Sequence, residues 1–387
     1  MARITVSVSA SILHWALERS SQGASLEKRF PKISDWLSGK GQPTMHQLEE
    51  LAQATSTPLG YFFLSNPPEE RLSIPHFRTL GKAGPRKPSA NLLETVQIME
   101  RRQAWMREHM IDLGNEPLSF IRSAKASDKP EDLARKMRQA LGLAEDWAAD
   151  LPRWTDALRH LIKKMEDIGI LVVVNGIVGN NTHRRLDPLE FRGFVLVDEY
   201  APLVFVNGAD GKAAQMFTLA HELAHLWFGS SAAFDLAYLQ PSGDETEQAC
   251  NRLAAEFLVP AKKMREFWPS IEKDSETFQA IARHFKVSEL VAARRAIDLE
   301  LITKEEFLDF YRSYQEKERS VAKGKEGGDF YATQNLRIGR RFAEAVVRAA
   351  RESKLLYRDA YQLTGLYGDT FEKYAQKIVG GAMGGAP

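Results

Sequence analysis

The two histidines of His221-Glu222-Leu223-Ala224-His225 constrain this chain more than any other feature. On an α-helix, residues four apart lie one above the other on the same face. Both imidazoles then reach a single ion, at about 2.0–2.1 Å from each nitrogen. Phe217, Leu219, Leu223, Leu226 and Trp227 surround the pair with apolar side chains, so the helix predicted over about residues 215–228 has to be buried. Short β-branched runs stand just upstream, at residues 170–175, 193–198 and Leu203–Asn207, and read as strands. Strands feeding helices point to an α+β domain.

The chemistry of the motif follows from its spacing. Glu222 stands beside the histidine pair, where a carboxylate takes a proton from a water that the ion polarises. None of the other seven histidines has a partner at i+4, which sets this pair apart. A catalytic zinc takes three protein ligands and keeps one position open. The next helix, predicted over Glu245–Leu258, offers Glu245, Glu247 and Glu256. Glu247 is preferred, because Asn251 lies one turn further on the same face and an amide there can orient a ligating histidine. Glu256 reads as a solvated helix carboxylate, and Asp244 and Glu245 as charges at the helix N-terminus. No histidine follows His225 until His284, so the site is of the two-His, one-Glu type.

The rest of the chain sets the frame. Its 387 residues predict two or three domains. A hydrophobic share of 44% is enough for a sizeable core. Net charge is +1, so a nucleic-acid contact has to be a local patch. The single cysteine, Cys250, excludes an intrachain disulfide framework and fits a reducing compartment. Arg3, His14 and Glu18 interrupt any signal-like start. The run at residues 168–175 is too short to span a bilayer. A soluble, cytoplasmic protein without membrane contact is expected.

Residues 1–65 read as short helices: 9–19, carrying the apolar residues Ile12, Trp15 and Leu17; 25–30; 32–37; and one capped by Thr44, with Leu48, Leu51 and Ala52 on one face. Tyr61 to Leu64 closes this unit. Residues 66–88 are a Pro-rich connector, followed by helices at 90–113, 129–141 and 153–168. Two helices split at Phe285-Lys286-Val287 fill 275–302, and 324–328 is a Gly-rich link. Single helices are expected over 335–351 and 357–378, with a disordered tail at 380–387.

The stretch from Phe217 through His221-Glu222-Leu223-Ala224-His225 resembles the signature of the ImmA/IrrE family of metallo-endopeptidases. Ala254-Ala255-Glu256-Phe257-Leu258-Val259-Pro260 is similar to that family's second motif, and Trp36-Leu37-Ser38-Gly39 through Pro58-Leu59 resembles an XRE-type helix-turn-helix. The resemblance covers most of residues 1–310. It implies Zn2+ held by His221, His225 and Glu247, with Glu222 as base. It also implies protein substrates, such as repressors, antitoxins or toxin partners, cleaved in stress regulons or toxin–antitoxin pairs. The expected division is an HTH-like domain at 1–65, a connector and helical region at 66–160, a peptidase domain at 161–310, and a helical extension at 329–379.

Two alternatives stay open. Lysine and arginine in residues 1–65 are nearly balanced by acidic residues, so that module either reads DNA weakly or serves protein contacts. The whole chain can also be a DNA-binding regulator or antitoxin-like protein with a silent or structural metal site. For substrate access, Leu203–Asn207 is either an edge strand open to an extended peptide or a covered interior strand.

Overall fold

A computed structural model describes residues 5–20, 23–70, 72–73, 88–230, 233–234, 245–272, 276–320 and 330–383. These form two compact units, one made of the described residues up to 73 with 88–97, the other of those from 98 onward. Most of the expected connector, the 324–328 link, Asp244 and the last four residues lie outside the described residues. No helix among the described residues is long and apolar enough to cross a membrane.

The first unit is helical: α1 (Ala10–Arg19), α2 (Gly23–Arg29), α3 (Ile33–Leu37), α4 (Met45–Thr55) and a 3-10 turn over Leu59–Phe63. Thr44 starts α4 with a capping box. Its hydroxyl accepts from Gln47 N, and its own N–H donates to Gln47 Oε1 at 2.9 Å. Leu48, Leu51 and Ala52, which share one face, are buried. In α1 the buried face is Ile12, Leu13 and Ala16, because those positions share one side of a 3.6-residue period. Trp15 and Leu17 are only half-buried, and Trp15 packs beside Tyr61.

α5 (Ala90–Asp112) leads into the second unit, which continues with α6 (Pro130–Ala140), α7 (Trp154–Asp167) and a four-stranded sheet. Its strands are β1 (Leu171–Asn175), β4 (Gly193–Leu196), β5 (Leu203–Asn207) and β6 (Ala233–Phe234), in the order β1-β5-β4-β6. β2 (Ile177–Val178) and β3 (Asn181–Arg185) make a separate hairpin. β5 runs parallel to β1, with Leu171 opposite Leu203, and antiparallel to β4, with Gly193 opposite Val206. β5 is therefore an interior strand paired on both sides, and it is closed to an incoming peptide. Its unbroken apolar run has a separate cause: both of its faces are covered. Val204 and Val206 belong to the core around the histidine helix, while Phe205 stacks on Phe194 on the other face, with ring centroids 4.8 Å apart.

The histidine helix is α8 (Lys212–Phe228). α9 (Glu245–Leu258) packs on it, followed by α10 (Ala261–Phe267), α11 (Thr277–Phe285), α12 (Glu289–Asp298) and α13 (Lys304–Ser320). α11 and α12 part at Lys286, whose φ is +56°. Phe285, Val287, Ala292 and Ala296 share one core with Leu223 of α8 and Leu253 of α9.

The C-terminal helices differ from the expected pair. The first is broken into α14 (Phe330–Ile338) and α15 (Arg340–Arg351), the second into α16 (Tyr357–Thr364) and α17 (Gly368–Met383). α17 thus enters the stretch expected to be disordered. The first break is at Gly339, where φ is +86° and a Cβ would lie 2.8 Å from the carbonyl oxygen of Val172. The chain crosses the outer strand β1 there, and α14 and α15 pack against it. An outer strand presents unpaired polar groups, so this packing covers an edge of the sheet. Arg102 of α5 fastens the region: its Nε donates to Leu363 O at 2.9 Å and its Nη1 to Arg337 O at 3.1 Å. Both carbonyls belong to the last turn of a helix, where the ladder leaves acceptors unfilled.

Candidate metal centre

α8 is buried without interruption from Gln215 to Trp227, as its all-round apolar sequence requires. Its C-terminal end is held from outside. Gly229 takes φ +77°, and its N–H donates to His225 O at 2.8 Å. Arg122 N and Ala124 N donate to the carbonyls of Leu226 and Trp227, each at 3.0 Å. These bonds fill acceptors that the helix itself cannot satisfy, and they fix the turn that carries His225.

The structure brings His221, His225 and Glu247 together as a buried three-residue cluster able to coordinate a metal ion. The two Nε2 atoms are 3.0 Å apart, and each lies 3.2 Å from an oxygen of Glu247. Ligand atoms at about 2.0–2.1 Å from one tetrahedral ion are separated by about 3.3 Å, so the triangle has the size of a metal site. The outer nitrogens are also engaged. His221 Nδ1 is 3.1 Å from Asn251 Oδ1, and His225 Nδ1 is 2.8 Å from Ser230 Oγ. A proton on His221 Nδ1, donated to the Asn251 oxygen, would leave the lone pair of Nε2 facing the carboxylate. Lone pairs that converge at this distance repel one another unless a cation lies between them. The donor set fits a divalent metal on that ground.

Burial sets the proton affinities. It pulls the His221 imidazole down to about 4, against the opposing influence of the Glu247 carboxylate. Burial alone raises Glu247, yet the pull of the His221 and His225 imidazoles beside it outweighs that and holds the carboxyl well below the usual range. Glu222 is fully buried, and both of its carboxylate oxygens lack a hydrogen-bond partner among the described residues. Burial first, and then the negative charge of Glu247, push its carboxyl well above the usual range. A buried, unbonded carboxylate is costly in a folded protein, and it marks a place where a guest belongs.

The other carboxylates of α9 lie elsewhere. Glu245 is exposed in the first turn of α9. Glu256 is buried rather than solvated: it bonds Arg295, and it accepts the N–H of Ala261 at 3.2 Å. Arg138 reaches its carbonyl at 3.0 Å. Glu256 therefore joins α9, α10 and α12.

Two site residues escaped the sequence reading. Ser230 is outside the helix period and reaches His225 only because Gly229 turns the chain back. Gly193 gave no local signal. A Cβ there would lie 2.8 Å from Phe205 O and 3.2 Å from Glu222 Oε1, so the approach of β4 to α8 requires a glycine.

Residues 165–296 match the family profile described as IrrE N-terminal-like domain (Peptidase_M78). Residues 338–377, which hold α15, α16 and most of α17, match a domain of unknown function, DUF8813. No curated protein matches the chain.

Proposed function

We propose that the chain is a zinc-dependent endopeptidase with a regulatory role, in which Glu222 is the general base. The observation that carries this reading is a fully buried carboxylate, without a hydrogen-bond partner among the described residues, beside three converging ligand atoms. A purely structural metal site has no use for such a carboxylate. His221, His225 and Glu247 would hold the ion, and the match to a peptidase domain supports the same assignment. Bound there, zinc supplies Lewis acidity toward a peptide carbonyl and lowers the pKa of water toward about 7. Glu222 takes a proton from the attacking water on a carboxylate oxygen and returns it to the leaving amine. Asn251 and Ser230 hold the imidazoles in one tautomer and orientation. The apolar walls keep bulk water out and strengthen every charge interaction inside.

The resemblance to regulatory peptidases supports a repressor, an antitoxin or a toxin partner as substrate, in the cytoplasm. We assign residues 1–65 as an HTH-like module that binds DNA weakly at best. The second reading, a DNA-binding regulator with a silent metal site, rests on the exposed cations Lys28, Arg29, Lys32 and Lys40. Cleavage of labelled casein by the zinc-loaded full chain separates the two. Wild type should cleave, and Glu222→Gln should keep its zinc and lose cleavage. An inactive wild type with a full complement of zinc favours the regulator.

A further inference from the structure

Attack on a peptide bond needs its carbonyl held within reach of both the triad and Glu222. β4 is the strand that meets this carboxylate: a Cβ on Gly193 would lie 3.2 Å from Glu222 Oε1. β4 has β5 on one side and β6 on the other. Toward β5, Arg192 O accepts Asn207 N at 2.7 Å. In an antiparallel pair, successive residues turn their N–H and C=O to opposite sides. Gly193, the next residue, therefore turns both groups outward, away from β5. An extended peptide lying beside Glu222 would pair with these main-chain groups.

They are already taken by the chain itself. β6 runs antiparallel to β4 on this outer side, with Phe234 opposite Gly193 and Ala233 opposite Phe194. β6 is two residues long, against four for β4, so few bonds hold it in place. Strand spacing shows what it excludes. Neighbouring strands lie about 4.7–4.9 Å apart, so a peptide added outside β6 would run roughly 9–10 Å from β4. That is too far for its carbonyl to reach Glu222. The row that β6 fills is the one that brings a scissile bond to the carboxylate.

We propose that β6 is an autoinhibitory strand: Ala233-Phe234 holds the outer edge of β4 in place of an extended substrate, which has to displace it. This rests on the peptidase reading. It also narrows the substrate to unfolded or extended protein segments, because a main chain already paired in a folded domain cannot exchange for β6.

The test uses the zinc-loaded full chain and labelled, unfolded casein. Phe234→Pro removes the N–H that faces Gly193 and keeps the backbone extended. In Ala233→Pro the lost N–H points away from β4, which makes it the control. Phe234→Pro should raise kcat/KM about fivefold, the equivalent of one backbone hydrogen bond. Ala233→Pro should cleave at the wild-type rate, and both should keep their zinc and melting temperature. Combined with Glu222→Gln, Phe234→Pro should bind casein about fivefold more tightly than Glu222→Gln alone. Ala233→Gly with Phe234→Gly weakens the same pairing if the proline variant does not fold. If wild type cleaves and Phe234→Pro is no faster, the proposal is overturned and the peptidase reading stands. If neither cleaves, the peptidase reading fails, and equal casein binding with and without Phe234→Pro overturns the proposal as well.

Discussion

Ser230 Oγ lies 2.8 Å from His225 Nδ1, and Asn251 Oδ1 lies 3.1 Å from His221 Nδ1. The two histidines are therefore held from opposite ends of the local sequence, one by the turn that ends α8 and one by the neighbouring helix α9. Such outer partners fix the imidazole orientation that a metal needs. Ser230→Ala and Asn251→Ala should each weaken zinc affinity by about 10–100-fold while leaving the fold intact. Competition with a chromophoric chelator measures this. Wild-type affinity in both variants would show that the two contacts are incidental.

The triad itself makes a second expectation. Without a cation, the lone pairs around His221 Nε2, His225 Nε2 and Glu247 repel one another at 3.0–3.2 Å. A ligand that binds only the folded state stabilises it by about 2.7 kcal/mol at a hundred times its dissociation constant. Zinc should therefore raise the melting temperature of the metal-free wild type, with one ion bound per chain. His221→Ala should lose both the ion and the zinc-dependent shift. Equal zinc content in the two proteins would remove His221 from the ligand set.

The sequence made the triad legible because its spacing is local: His221 and His225 share a helix face, and Glu247 with Asn251 repeats that logic on the next helix. What stayed hidden depends on tertiary contact. Gly339 interrupts an amphipathic pattern that reads as one helix from 335 to 351, and only the nearness of Val172 O reveals why a positive φ is needed there. β3 is Asn181-Thr182-His183-Arg184-Arg185, too polar and exposed to give a strand signal. β5 was legible as a strand, but its place inside the sheet was not, because pairing partners leave little trace in an apolar run.

Gly339 gives a prediction of its own. Alanine there meets both an unfavourable φ of +86° and the carbonyl of Val172. Positive φ alone costs about 1–2 kcal/mol for a residue with a Cβ. The backbone clash adds to that, so Gly339→Ala should destabilise the chain by roughly 2–4 kcal/mol. If the region matched by DUF8813 is built onto the β1 edge, its unfolding should coincide with that of α8. Urea unfolding followed by hydrogen exchange reads both. An unchanged midpoint, or early independent loss of protection in residues 340–377, would contradict the edge-covering role.

Glu166 makes stability depend on pH. Its carboxylate accepts the N–H of Arg341 at 3.1 Å, where α15 begins. Burial nevertheless raises its pKa from 4.5 to about 7, with Glu344 adding to the rise and Arg341 and Arg340 opposing it. The folded state therefore holds this proton more tightly than the unfolded chain does. Its contribution is fully present below about 4.5 and is lost as pH climbs through about 7, by about 3 kcal/mol over the whole window. Glu166→Gln should flatten that part of the stability profile. An identical decline in the variant would assign the slope to other groups.

The N-terminal unit carries the last expectation. Lys28, Arg29, Lys32 and Lys40 are exposed on and around α2 and α3, but Glu27 and Asp35 are exposed among them. α3 has only five residues, Ile33–Leu37, and spends Ile33 and Trp36 on its own core. Few side chains are left to reach base edges, so sequence reading through this helix should be poor. Each phosphate neutralised contributes about −0.9 to the slope of log K against log salt, which caps four cations at about −3.6. The intervening carboxylates lower the real figure. Fluorescence anisotropy with a labelled duplex from the upstream region of this chain's own gene, repeated across salt, should give weak binding and a slope shallower than that cap. Lys32→Glu should weaken it slightly. Tight, sequence-specific binding that Lys32→Glu abolishes would mean that α3 works as a recognition helix despite its length, and the regulator reading would then gain over the peptidase.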